Sequence, residues 1–157
     1  MDLIIGKDGE GAILTLTERS TNFLIMEKLK EGKKAVPLAR VVTRLLYPYR
    51  GEALKTLTTD NGSEFACHEQ IARSLKTTVY FADSYSSWQK GSIENMNKLI
   101  RQYIPKKTDF DTVSDSFILE IRKKINRRPR EKLGFQCPRD CFFRQVNKKG
   151  NTIRHSP

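Results

Sequence analysis

Long hydrophobic runs are missing: no apolar stretch in the 157 residues approaches the roughly 18–20 needed to span a bilayer. A leader pattern is missing too, since Asp2 and Gly6 interrupt the start, MDLIIGKDGEG, and the reading is of a chain that works in the cytoplasm rather than in a membrane. Cysteine is scarce and odd in number, three in all, which excludes a self-contained disulfide framework and fits a reducing compartment. Cys137 and Cys141 with Cys67, His68 and His155 lack the paired spacing of a zinc site, so the thiols read as small apolar groups. Acidic residues are scarce in one place above all. Residues 121–157 hold twelve Lys or Arg but only Glu131 and Asp140, a net +10 out of the chain's +11. A block of that sign and density suits a polyanion, because each phosphate contact releases counterions.

What remains is enough for one domain with a core, at 38% hydrophobic residues. Asp2–Ile5, AILTLTE (12–18) and NFLIMEKL (22–29) read as three strands joined by short turns, hence an antiparallel meander. Residues 33–47 have helical spacing at Val36, Ala39, Val42, Leu45 and Leu46, with Pro37 near the first turn. Residues 53–59 form a fourth strand, 63–75 a helix and 77–82 a fifth strand. DSYSSWQKG (83–91) reads as a polar flexible loop, followed by helices over 92–104 and 111–126 and a short one near the end. The spacing predicts a five-stranded mixed sheet with helices on both faces, an order that resembles a ribonuclease H-like domain. Residues 1–145 are expected as the core and 146–157 as a basic, flexible tail.

Three acids fall where strand ends and a helix could converge: Asp2 in the first strand, Asp60 ending the fourth and Glu94 on the helix after the polar loop. Neighbouring carboxylates repel unless a cation lies between them, and Mg2+ prefers such oxygen ligands. Each also has a plain reading. Asp2 is a terminal acid, with Asp8 as its competitor in a KDGEG turn; Asp60 precedes Asn-Gly; Glu94 stands in a helical first turn, where the dipole favours any acid. Glu64, three residues after Asn61, reads as part of a capping box.

Four stretches taken together are specific: DLIIGKDG, TTDNGSEFA, YSSWQKGSIENMNKLIRQYIPK and INRRPREKLGFQCPRDCFF. In that order they resemble the catalytic core of DDE transposases and retroviral-type integrases, above all the bacterial insertion-sequence thirty family. The thirty-three residues between Asp60 and Glu94, and a basic residue, Arg101, seven after the glutamate, match that family. The resemblance implies a catalytic and metal-binding set of Asp2, Asp60 and Glu94, holding two Mg2+ or Mn2+ ions for DNA strand cleavage and strand transfer. It implies DNA, both transposon ends and target, as partner, an assembly of two or more copies on that DNA, and a bacterial, nucleoid-associated setting. Lys98 and Arg101 follow Glu94 on roughly one helical face, and Trp88 and Lys90 precede it. With Arg127, Arg128 and Arg130 of the closing motif they make up the expected DNA contacts. Family members carry an upstream helix-turn-helix region that nothing here resembles, so the chain is expected to be a core without it. Two alternatives stay open: a nuclease of the same fold that cuts without joining, and an inactive DNA-binding relic.

Overall fold

The computed structural model describes residues 1–83 and 87–153, with side chains except those of 87–90 and 149–153. Three strands, β1 (Asp2–Ile5), β2 (Ala12–Thr17) and β3 (Leu24–Leu29), pair antiparallel in that order. Asp2 faces Thr15 across the first ladder, and Thr17 faces Leu24 across the second. The middle strand is buried almost throughout, because both of its faces are covered. Ile13 joins a core with Ile4, Leu24 and Met26 beneath helices α3 (Ser87–Tyr103) and α4 (Asp115–Arg127). Ala12, Leu14 and Leu16 point the other way, into a second core under α1 (Ala35–Leu46) and α2 (His68–Leu75). Helices therefore cover both faces, as the alternation of apolar positions demands. Pro37 is accommodated in the first turn of α1, where its missing N–H costs no intrahelical bond.

The fourth and fifth strands, β4 (Thr56–Thr59) and β5 (Thr78–Phe81), pair parallel on either side of α2. The single five-stranded sheet expected from the element order is not what the ladders describe: among the described residues there are two sheets, of three and two strands. A hydrogen bond from the Met1 ammonium to the Thr58 carbonyl links the start of β1 to β4.

Other boundaries moved for local reasons. The helix expected over 63–75 is split into a 3-10 turn at Ser63–Phe65 and α2 proper, and no side chain caps either start. The Asn61–Glu64 capping box is thus not formed; Asp60 Oδ1 instead accepts from Gly62 N–H at 3.1 Å. α3 begins at Ser87, inside the segment expected as a loop, and contains Gly91. Gly91 does not break it, since a single interior glycine costs only about 1 kcal/mol relative to alanine. α4 starts at Asp115 rather than 111, because Ser114 Oγ accepts from Phe117 N–H at 3.1 Å and sets the N-cap there. α5 (Pro138–Ile153) runs into the segment expected as a tail. It is anchored by Phe142, stacked on Phe23 with ring centroids 4.2 Å apart and edge-on to Tyr49 at 5.2 Å. The three cysteines are free and half-buried, and His155 lies outside the described residues.

α4 is fastened to the sheet by a polar contact. β3 is an edge strand, and Asn126 supplies the neighbour it lacks: Leu24 N–H donates to Asn126 Oδ1, and Asn126 Nδ2 donates to the Leu24 carbonyl, both at 2.8 Å. Both residues are buried, so the amide satisfies backbone groups that would otherwise be stranded.

Candidate functional site

β1 presents Asp2 at its first position, half-buried. Leu3 N–H donates to Asp2 Oδ1 at 2.8 Å, and Asn97 Nδ2 on α3 donates to Asp2 Oδ2 at 2.8 Å. Asn97 is itself held from the sheet. The hydroxyl of buried Thr15, which faces Asp2 across the ladder, lies 3.2 Å from both Asn97 Oδ1 and the Asp2 carbonyl, which share its one proton. A relay from Thr15 through Asn97 thus fixes the plane of the Asp2 carboxylate. The sequence reading passed over both residues. The signal was there: Asn97 stands three residues, one helical turn, after Glu94, on the same side of α3.

Asp60 follows the last residue of β4, its carboxylate held by the Gly62 N–H. Asp2 and Asp60 line one cavity of about 280 Å³, walled by Leu16, Phe23, Ile25 and Tyr49 and, from α3, by Ser92 and Ile93. The hydroxyls of Thr17 and Thr59, which line the same cavity, are buried without a hydrogen-bond partner. A buried hydroxyl without a partner marks a place where a polar occupant belongs. Glu94 is exposed on α3, directly after Ile93, and is not part of the cavity wall. Among the described residues no group of three or more His, Cys, Asp or Glu side chains stands close enough together to hold a metal. The structure therefore brings two of the three acids to one cavity, and leaves the third beside it. The donor set of that cavity, carboxylates and hydroxyls, fits a hard divalent cation and its waters.

The expected DNA contacts divide into groups. Lys98 is exposed on α3 one turn beyond Glu94. Arg101 is turned inward: its Nη2 donates to the Ile5 carbonyl at 3.0 Å and its Nη1 to the Pro105 carbonyl at 3.2 Å. Burial lowers its pKa from the ordinary guanidinium value. It ties the C-terminal end of α3 to the end of β1. Arg127 and Arg128 are exposed at the end of α4. Arg130 is half-buried, with Nε and Nη2 shielded from solvent and unpartnered, and its pKa is lowered by burial and then by Arg128. A phosphate oxygen would satisfy those orphaned donors. The side chains of Trp88 and Lys90 lie outside the described residues.

A second hollow, of about 400 Å³, lies on the other side of Phe23, Ile25 and Tyr49, which line both cavities. Four cations line it, Arg122, Lys123 and Arg127 from α4 and Arg139 from α5, and no acid does. Burial raises the Tyr49 pKa, an effect that the nearby Arg122 partly offsets, so the phenol stays a neutral donor.

No protein-family model matches the chain. It is 44% identical over 148 residues to the transposase for insertion sequence element IS4351 of Bacteroides fragilis, covering 94% of this chain and 45% of that protein. It is 36% identical over 145 residues to the transposase InsI for IS30A of Escherichia coli K12, covering 92% of this chain and 37% of that protein. The chain thus spans less than half the length of the curated relatives it matches. Its fold superimposes on the catalytic core domain of BIV integrase with a TM-score of 0.71 at 18% identity, covering 95% of each chain. Over nearly its whole length, then, this chain is similar to a segment of the insertion-sequence transposases of the IS30 group, and it has the ribonuclease H-like mixed α/β fold of an integrase catalytic core.

Proposed function

We propose that the chain is the catalytic core of a DNA transposase, a polynucleotidyl transferase that cuts a DNA strand and joins the resulting end to a target. The observation that carries this reading is the delivery of Asp2, from β1, and Asp60, directly after β4, to one cavity beside the helix that bears Glu94. The similarity to the transposases of IS4351 and IS30A supports it.

Asp2, Asp60 and Glu94 are the residues that would hold Mg2+ or Mn2+, Asp2 and Asp60 from the cavity wall and Glu94 from α3. When bound, such ions supply charge neutralisation to the carboxylates and Lewis acidity to a scissile phosphate and its attacking hydroxyl. The chain's own residues prepare the place. Thr15 and Asn97 hold the Asp2 carboxylate in one orientation, and the Gly62 N–H does the same for Asp60. Ligands fixed in advance lose little freedom on binding a cation, and partners of this kind are worth about 10–100-fold in metal affinity. Lys98, Arg127, Arg128 and Arg130 contact DNA phosphates, and Trp88 and Lys90 precede Glu94 in the sequence as further DNA-binding candidates. Arg101 adds charge nearby while it braces α3. The two sheets work as one five-stranded layer, supported by the Met1–Thr58 bond between β1 and β4. The chain acts on DNA ends and target in the bacterial cytoplasm as an assembly of two or more copies, since two ends must be joined in one event.

The test uses duplex DNA carrying a free 3′-hydroxyl, a supercoiled target, and Mg2+ or Mn2+. Wild type should nick the DNA and form joined products, and Asp60→Asn should abolish both while retaining DNA binding. Nicked but never joined DNA would assign a nuclease instead. Calorimetry with Mn2+ that finds no binding to wild type, together with equal nicking by Asp60→Asn, would overturn the assignment of the acids.

A further inference from the structure

We infer that the basic hollow between β3, α4 and α5 is a second, non-catalytic DNA site that grips backbone phosphates of the duplex leading away from the acid-lined cavity. The inference rests on the reading of the chain as DNA-acting, and it assigns Arg122, Lys123 and Arg139, together with Arg127, to one binding surface. Its basis is charge and position. Arg122, Lys123, Arg127 and Arg139 surround the hollow, and no carboxylate lines it. Arg139 has a side-chain acid within reach, Asp140 at 3.9 Å, and both of these groups are more than half exposed. A pair so long and so wet neutralises little. Four cations held around one concavity repel one another, and a polyanion removes that repulsion while releasing its own counterions.

The walls of the hollow are tied to the sheet by ring packing and by hydrogen bonds. Phe143 packs edge-on against Phe23 and Phe142, with centroids 5.6 and 5.4 Å away, and this fastens α5 to the sheet. Asn126, at the floor, has its amide committed to Leu24 on β3 and fixes the distance of α4 from that strand. The cations from two helices are therefore presented by a frame that does not need to be ordered on binding, which lowers the entropy cost of gripping a phosphate. Phe23, Ile25 and Tyr49 form a common wall with the cavity of Asp2 and Asp60, so a duplex whose scissile phosphate enters the acid-lined cavity passes the hollow within the same footprint. Phosphate contacts of this kind position a duplex and carry no sequence information.

The experiment measures binding of the 157-residue chain to a labelled duplex by fluorescence anisotropy, in EDTA, over a range of salt. Without a metal no cleavage occurs, so the measurement is independent of the catalytic reading. Each lost phosphate contact should flatten the slope of log K against log salt by about 0.9. The triple variant Arg122→Gln/Lys123→Gln/Arg139→Gln should flatten it by about 2–3, and Arg139→Gln alone, at an exposed position, by about 0.9. The same charge change at Lys30→Gln/Lys33→Gln/Lys34→Gln, exposed lysines that do not line the hollow, should leave the slope nearly unchanged. The inference fails if the hollow variants keep the wild-type slope, or if the control lysines flatten it equally. It also fails if the hollow variants lose affinity for heparin or single-stranded RNA but not for duplex DNA. A loss of cleavage in Asp60→Asn, or its absence, bears on the catalytic reading and leaves this one to stand or fall alone.

Discussion

Replacing Asn126 with alanine removes both hydrogen bonds that close the outer edge of β3, and the cost can be worked out from the partners left behind. Leu24 is fully buried, and its N–H and C=O each lose a partner at 2.8 Å. A buried backbone group left unsatisfied costs about 1–3 kcal/mol, so two such groups set a range of about 2–6 kcal/mol. The hollow lined by Leu24 and Asn126 gives water a route to them, which places the expectation in the lower half, about 2–3 kcal/mol. Against a typical stability of about 5–15 kcal/mol that is a large fraction. It should lower Tm by about 5–10 °C in a domain of this size. Urea unfolding, followed by circular dichroism, reads the change as a lower midpoint at constant m. Asn126→Asp separates the hydrogen bonds from packing. The carboxylate still accepts from Leu24 N–H, but it loses the donor and faces the Leu24 carbonyl with a negative charge. Protonation restores a donor, so the stability of Asn126→Asp relative to wild type should recover as pH falls through the carboxylate range. A destabilisation of Asn126→Ala below about 0.5 kcal/mol, or Asn126→Asp that shows no relative recovery in acid, would refute the edge-closing role.

Asn97→Ala should release the Asp2 carboxylate and weaken Mn2+ binding and strand cleavage by about 10–100-fold with DNA affinity unchanged; calorimetry and a nicking assay check it. Asn97→Asp should instead shift the pH–rate profile upward, since a second carboxylate beside Asp2 raises the pKa of the pair. Arg101→Ala should cost about 1–2 kcal/mol of stability in urea while changing DNA affinity no more than the loss of one lysine, because its guanidinium is committed to the Ile5 and Pro105 carbonyls. Glu18 gives a pH dependence with a definite sign. Burial raises its pKa, but hydrogen bonds from the Thr21 hydroxyl, the Ser20 and Thr21 N–H groups and the Ser20 hydroxyl outweigh burial and bring it below the ordinary value of 4.5. A carboxylate whose folded pKa is depressed stabilises the fold fully above its unfolded pKa, and loses that contribution as pH falls through the folded value. Glu18→Gln should therefore be less stable than wild type at neutral pH, with the gap closing below about pH 4.5 in urea titrations.

Much of this molecule was legible before its structure, where the signal is local. The meander was readable because short turns between β-branched runs allow one pairing; the two-sided burial of β2 was not, because Thr15 and Thr17 share a face with Ile13 and give the run a half-polar side. The strand-end position of Asp60 was readable from the run that precedes it. The start of α3 was not, because Ser87–Gly91 contains almost no apolar periodicity and its glycine suggests a break. The division of the strands into two sheets depends on which backbones meet across the chain, and no residue type encodes that. Asn97, Thr15 and Asn126 were missed for a shared reason. Each is a small polar residue whose work lies in a contact distant in sequence, 95 residues from Asn97 to Asp2 and 102 from Asn126 to Leu24. Arg101 was visible as a charge at a telling position, yet its inward turn toward two carbonyls could be seen only once β1 and α3 were placed side by side.

The sandwiching of β2 between two cores also has a consequence for the order in which the molecule is made. The meander is complete in sequence at Leu29, and the core on its α1–α2 face can close once Leu75 has emerged. The opposite face, with Ile4, Ile13, Leu24 and Met26, waits for Ile100, Ile121 and Ile125. At about 5–20 residues per second, the roughly 96 residues between Leu29 and Ile125 leave that apolar face bare on the ribosome for about 5–20 s. During that interval the unpaired edge of β3 is open as well, because Asn126, which closes it, directly follows Ile125 in the chain. The nascent chain should accordingly be a substrate for ribosome-associated chaperones up to the synthesis of α4, and should lose that affinity once the helix docks.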